Sequence, residues 1–212
     1  MHTTQRTAFT VLAAFTVVAL ATGASSAQGA IIGVSGQTTW LGVAPVACTP
    51  GALTGPNALT WNEQQGIFVN NVQCDMINNP GVSPGIPGQV SGLVDNHFIH
   101  FEPNTAVQFV SGSVTFASRI RGVIFRNVFL DITDIPLGSP GTVYPTGYPL
   151  RGLNAASMFS INNNVLTFQF AAPLPTEDIL QLRVITEHFV PSPGPAALLG
   201  LGGLVAARRR RS

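Results

Sequence analysis

The chain has 212 residues, of which 45% are hydrophobic and only 9% charged, with a formal net charge of +1. A composition this apolar excludes an intrinsically disordered protein. Ten arginines without a single lysine, four of them consecutive at the C-terminus, leave no basic surface for nucleic acid, and no apolar run reaches the ~20 residues of an ordinary membrane-spanning helix.

The chain opens on Met1 to Thr7 with Arg6 as its one cation, followed by an apolar run over 8–21 and then the small residues Thr22, Gly23, Ala24, Ser25, Ser26 and Ala27. A cationic start, a short apolar stretch and small residues at −3 and −1 make a secretory signal peptide. Ser25 and Ala27 occupy those two positions, so residues 1–27 are expected to be removed after Ala27.

Residues 28–189 form the body. Its five arginines (119, 121, 126, 151 and 183) stand against all nine acids of the chain, giving −4, so the positive charge belongs to the ends. The body is rich in the chain's 22 glycines and 16 prolines, and strand signals recur between them. Candidate strands run over 38–43, 67–72, 89–94, 97–101, 114–116, 120–125 and 128–133. In chain order there follow a hairpin, Phe159 to Ile161 and Val165 to Phe168 across Asn162, Asn163 and Asn164, and a strand with Leu180, Leu182 and Val184 inward and Gln181 and Arg183 outward. A two-residue period marks strands buried on one face, and Asn tolerates the left-handed turn a hairpin needs. No stretch shows a helical period over three turns. About nine short strands with Gly/Pro turns predict an all-β fold, a single antiparallel β-sandwich of jelly-roll type. The segments 78–88 and 136–152 are loops.

Cys48 and Cys74 are the only cysteines. In an exported chain an even pair is most simply a disulfide, which would stabilise the fold by about 3.5 kcal/mol. No histidine lies between or beside them to make a metal or nucleophilic site.

Three strings carry candidate chemistry. Gly81-Val82-Ser83-Pro84-Gly85 matches the nucleophile-elbow pattern, but Pro84 has no N–H to donate to an oxyanion and no helix follows, so it reads as a loop. Asp95, His97, His100 and Glu102 form the densest polar cluster. On a strand Asp95 and His97 share one face, and His100 and Glu102 the other. Two histidines three apart on a strand cannot reach one metal, so each reads as a strand or hydrogen-bonded core residue. Asp131 and Asp134 offer oxygens to calcium, but two carboxylates without the Asp-x-Asp-x-Asp-Gly spacing make a weak metal site. No cofactor is expected.

The C-terminal segment, 190–212, carries Pro191-Ser192-Pro193, an apolar run over 195–207 and then Arg208, Arg209, Arg210 and Arg211. Thirteen residues of helix span roughly 20 Å, short of a ~30 Å hydrocarbon core, and four arginines would stay on the cytoplasmic side. This layout suits a removable sorting tail that holds the chain end briefly in the inner membrane with the Pro-Ser-Pro segment outside. The tail resembles the PEP-CTERM sorting domain, the substrate tail of bacterial exosortases, with Ser192 where that family usually has glutamate. The body between Asp95 and Thr186, with Ser111-Gly112-Ser113, Ile120-Arg121-Gly122 and Leu137-Gly138-Ser139-Pro140-Gly141 among its strings, is similar to an uncharacterised group of exported PEP-CTERM proteins. That likeness implies a shared β-domain and brings no catalytic residue.

The sequence is therefore expected to encode an exported, non-enzymatic surface or extracellular-matrix protein, sorted by an exosortase and the export machinery, with no nucleic-acid partner. The second reading is a carbohydrate-binding module for exopolysaccharide, which exposed Trp or Tyr on a sheet face would favour. The third, a secreted hydrolase or lyase, needs paired carboxylates or a nucleophile and base in one cleft, and no such pair is evident.

Overall fold

The computed structural model describes residues 30–77, 86–104, 108–172 and 178–188. The signal segment ending at Ala27, the Gly81 to Gly85 string, and the tail with Pro191, Ser192, Pro193 and Arg208 to Arg211 lie outside the described residues.

Among the described residues the body is mostly β, and the elements are those of these residues. Its strands are β1 (Ile31–Gly36), β2 (Thr38–Trp40), β3 (Ala58–Asn62), β4 (Ile67–Cys74), β5 (Gly88–Phe101), β6 (Phe109–Phe116), β7 (Ile120–Ile124), β8 (Met158–Asn162), β9 (Val165–Ala171) and β10 (Leu180–Glu187), with one helix, α1 (Asn127–Leu137), between β7 and β8. A four-stranded sheet runs β1-β6-β9-β8, and a six-stranded sheet runs β2-β3-β5-β10-β7 with β4 on the first half of β5. All pairings are antiparallel except β2 with β3, which is parallel and departs from the purely antiparallel expectation.

The two sheets bury a common core. Val114, Phe116, Leu166, Phe168 and Phe170 of the smaller sheet pack with Ile99, Phe101, Leu180, Leu182 and Val184 of the larger. The alternating apolar positions of β6, β9 and β10 do this work: each fully buried Leu, Ile or Phe contributes about 1.5–3 kcal/mol of transfer free energy. The chain passes from one sheet to the other at Gly36, whose φ is +66° and where a Cβ would sit 2.5 Å from the Ser111 carbonyl oxygen. Only glycine fits that corner.

Four expectations change. The strands expected at 89–94 and 97–101 are one strand of 14 residues, β5, and it is the spine of the larger sheet. β1 and β3 were not expected. The segment 128–133 is not a strand but lies within α1. Its buried positions are Leu130, Thr133, Asp134 and Leu137, at helical spacing, whereas Val128, Ile132 and Ile135 face solvent. Half the buried face is polar and the exposed face apolar, so the hydrophobic period is masked. Pro136 falls in the last turn, where it leaves the Ile132 carbonyl without its intrahelical donor and helps end the helix, and the chain leaves the helix as the Gly138 N–H donates to the Asp134 carbonyl.

The fourth is the disulfide. Cys48 and Cys74 are separate, buried, free thiols. Gln181 of β10 donates to the Cys48 carbonyl. The Cys74 sulfur instead abuts Gly122, which pairs with Ile185 of β10. The two cysteines thus reach β10 at different levels, Cys48 through Gln181 and Cys74 through Gly122 opposite Ile185, and their sulfurs are not bonded. Burial pushes both thiols up to about 12. Thiol titration of the native protein is expected to find none reactive, and titration after unfolding without reductant is expected to find two; none after unfolding would restore the disulfide.

Candidate functional site

The outer face of the larger sheet is not exposed. It is covered by α1 and the segment 138–152, and a second apolar cluster with Trp61, Phe98, Ile124, Leu130 and Leu137 fills the space. Between the apolar parts of this cover lies a buried array of charges, which no sequence pattern had brought together.

Arg183 of β10 is fully buried. It faces this layer because β10 has cover on both sides, so the outward position expected for it and for Gln181 becomes a second interior. Its Nε and Nη2 donate to the two Glu63 oxygens at 2.5 and 2.9 Å, and its Nη1 donates to Thr133 Oγ1 of α1 at 2.6 Å. Nη2 also reaches Asp134 at 3.3 Å. Arg151, buried as well, grips the same carboxylate: its Nη1 and Nη2 donate to Asp134 Oδ2 and Oδ1 at 2.6 and 2.8 Å. Nη1 also reaches Asp131 at 2.8 Å, and Nε donates to Gln181 at 2.6 Å. Both guanidiniums therefore make the paired, fork-like contacts that carboxylates accept best.

Hydroxyls complete the array. The Tyr144 hydroxyl donates to Glu63 at 2.5 Å and accepts from the Ser139 N–H at 2.8 Å. Thr146 donates to Asp134 at 2.7 Å, and the Gly147 N–H to Asp131 at 3.0 Å. Burial, and then the Glu63 charge, raise Tyr144 far above an ordinary phenol, so it stays a neutral donor. Burial works against the charge of Arg183, but Glu63 and Asp134 outweigh it and hold the guanidinium protonated.

Asp131 and Asp134, the weak calcium candidates, are thus the anchors of Arg151. Both carboxylates are engaged by the Arg151 cation, and among the described residues no group of three or more His, Cys, Asp or Glu is placed to hold a metal. The cluster around β5 divides as its alternation requires. His97 faces the inter-sheet core against Phe116, at a ring distance of 4.5 Å. Asn62 Oδ1 already accepts from the Ile31 N–H, so His97 Nδ1 is the donor to it at 2.8 Å, and Nε2 accepts from Thr186 at 3.1 Å. His100 faces the covering layer. Gln181 Oε1 accepts from Arg151, so its Nε2 donates to His100 Nδ1 at 2.9 Å and the ring proton lies on Nε2, 3.9 Å from Glu102. Asp95 accepts from the Gly66 N–H and His188, both at 2.7 Å. Both β5 histidines are interior hydrogen-bonded groups, as expected for residues that share no ligand.

Chemically, the array is a clamp. It ties β10 and Glu63, the residue that follows β3, to α1 and the 138–152 segment, and its charges are engaged with one another. A cleft of ≈ 370 Å³ opens beside it, reaching Gln64, Ile135, Ser139 and Thr142; among the described residues the one charged side chain on its wall is Asp134, whose two oxygens accept from Arg151 and Thr146. Glu63, Arg151 and Arg183 escaped sequence reading because each stands alone in a polar or apolar context. The one available signal was a guanidinium and an amide, Arg183 and Gln181, alternating with Leu180, Leu182 and Val184.

No family model, no curated protein and no solved structure matches the chain.

Proposed function

We propose that the chain is the precursor of an exported surface or extracellular-matrix protein, not an enzyme, delivered through its N-terminal signal and sorted by an exosortase at its C-terminal tail. The observation that carries this reading is the order of three elements at one chain end: Pro191-Ser192-Pro193, thirteen apolar-type residues, and Arg208 to Arg211. A short span that the arginines hold on the cytoplasmic side presents the proline segment to a processing enzyme embedded in the inner membrane. In the precursor a signal helix and a short hydrophobic helix flank a two-sheet body of jelly-roll type. The mutual engagement of Glu63, Asp134, Arg151 and Arg183 supports a non-catalytic body, because a general acid or base must keep a free valence for substrate.

Intact mass of the protein recovered from the surface or medium of cells with the matching exosortase tests this. The mature chain is expected to begin near Gln28 and to lack Arg208 to Arg211. Deleting 191–193 is expected to leave full-length protein in the inner membrane, and changing the four arginines to serine to let the end slip through unprocessed. A surface-exposed mature protein that keeps its arginines would reduce the tail to a simple anchor.

A further inference from the structure

The outer face of the smaller sheet, unlike that of the larger one, is uncovered among the described residues, and its composition is unusual. The four strands contain no Asp, Glu, Arg or Lys on either face. A solvent-facing surface of a small domain is ordinarily about a quarter to a third charged, for solubility. Four strands without a charge therefore require a physical account.

What replaces charge is a set of aligned rows. Ser35 of β1 pairs with Ser113 of β6, Ser113 with Thr167 of β9, and Thr167 with Ser160 of β8. One hydroxyl per strand thus stands in a line across the sheet, about 14 Å long at the usual strand separation. Ser35 and Ser113 hydrogen-bond to each other at 2.8 Å. The next row, one pleat along, is Ser111, Gln169 and Met158. Beyond it on β6 lies Phe109, a ring 63% exposed, and Met158 at the far edge is 61% exposed. Two adjoining hollows lie along these rows, one of ≈ 340 Å³ that includes Phe109, Ser111 and Gln169, and one of ≈ 190 Å³ that includes Met158, Thr167 and Gln169. Gln169 is common to both, so together they form one shallow trough.

We infer that this trough binds a neutral polysaccharide. Hydroxyls and an amide donate and accept, as a chain of sugar hydroxyls requires, and neither demands a counter-charge. The exposed Phe109 ring and the Met158 side chain supply the apolar contacts that the C–H face of a pyranose seeks. The stacking group is a phenylalanine, not the Trp or Tyr that sequence reasoning looked for. Charge also selects against the acidic alternative: an anionic polymer needs arginine, and none stands on the four strands that carry the trough. The site deepens the proposed role, since a matrix protein must hold the matrix, and rests on it only for where the polymer is met.

The test is co-sedimentation of the purified full chain with insoluble neutral glycans (a β-1,4-glucan, a β-1,3-glucan and chitin), with calcium alginate beads as the anionic control. Saturable binding to at least one neutral glycan and less to alginate is expected. Phe109→Ala is expected to weaken binding about ten-fold and Thr167→Lys to abolish it. Both side chains are exposed, so circular dichroism and the melting temperature should not move; should either variant unfold, Gln169→Ala replaces it, with the same ten-fold loss expected. Absence of binding to all three neutral glycans, stronger binding to alginate, or binding unchanged by the substitutions would each overturn the inference. So would a dimer in sedimentation velocity that Thr167→Lys dissociates with no glycan bound, which would make the face a self-association surface. These outcomes are independent of the C-terminal mass that tests sorting.

Discussion

Arg183→Met is expected to lower stability by about 3–5 kcal/mol, the usual result of removing one partner from a buried ion pair. Methionine fills the volume and lies well against Phe98, whose ring the guanidinium faces at 5.1 Å. It supplies no donor, so Glu63, itself buried, keeps only the Tyr144 hydroxyl. The loss is therefore charge stranding rather than a cavity. At ~2–4 °C per kcal/mol for a body of this size, the melting temperature should fall by about 10 °C. Adding Glu63→Gln removes the stranded charge, so the double variant should be less destabilised than the sum of the two singles by more than about 1 kcal/mol, the signature of residues that act as a unit. Because the clamp holds α1 and the 138–152 segment onto the sheet, amide exchange in those segments should accelerate more than in β6 and β9. A melting temperature within two degrees of wild type, or additive single effects, would show that the array does not hold the cover in place.

Much of the β framework was legible because its strands alternate. β6, β9 and β10 announce themselves by apolar residues two apart, and the hairpin turn by Asn163, whose φ is +54°. What was not legible is the layer outside the larger sheet. A strand covered on both faces has no polar side, so Gln181 and Arg183 in β10 read as solvent-facing when they are interior. The same layer inverted α1, with Thr133 and Asp134 turned inward to meet the arginines and Ile135 left 92% exposed. Periodicity reports where apolar residues fall, and a buried ion array breaks the link between apolar and inside. The disulfide failed for a related reason: two cysteines carry no information about which level of the sheet each reaches. The neutral row on the smaller sheet was equally hidden, since Ser35, Ser113, Thr167 and Ser160 are scattered in sequence and only the strand register aligns them.

Stability is expected to fall as pH drops from 7.5 to 5, because of two histidines. Burial lowers His97 to about 3, and burial with the nearby Arg151 charge lowers His100 to about 3. Unfolded, both take up protons near the ordinary value of ~6.5. Between these limits the unfolded chain binds more protons than the native one, so stability rises with pH across the window and is lost on acidification. Each histidine then contributes about 2 kcal/mol of destabilisation at pH 5 relative to pH 7.5, an order-of-magnitude figure from the same linkage. Together they correspond to a fall of about 10 °C in melting temperature. Ordinary carboxylates titrate mainly below this window, near 4, which keeps the two effects apart. The physical objects are specific. A proton on His97 Nε2 would face Thr186, which would have to give up donating to that nitrogen, with Phe116 packed on the ring. A proton on His100 Nδ1 would turn an acceptor of Gln181 into a second donor against it. Replacing both histidines by glutamine removes the titrating groups, so the double variant should melt at nearly the same temperature at pH 7.5 and pH 5, from whatever lower value it starts. If that variant keeps the full acid sensitivity of the wild type, the buried histidines are not its source.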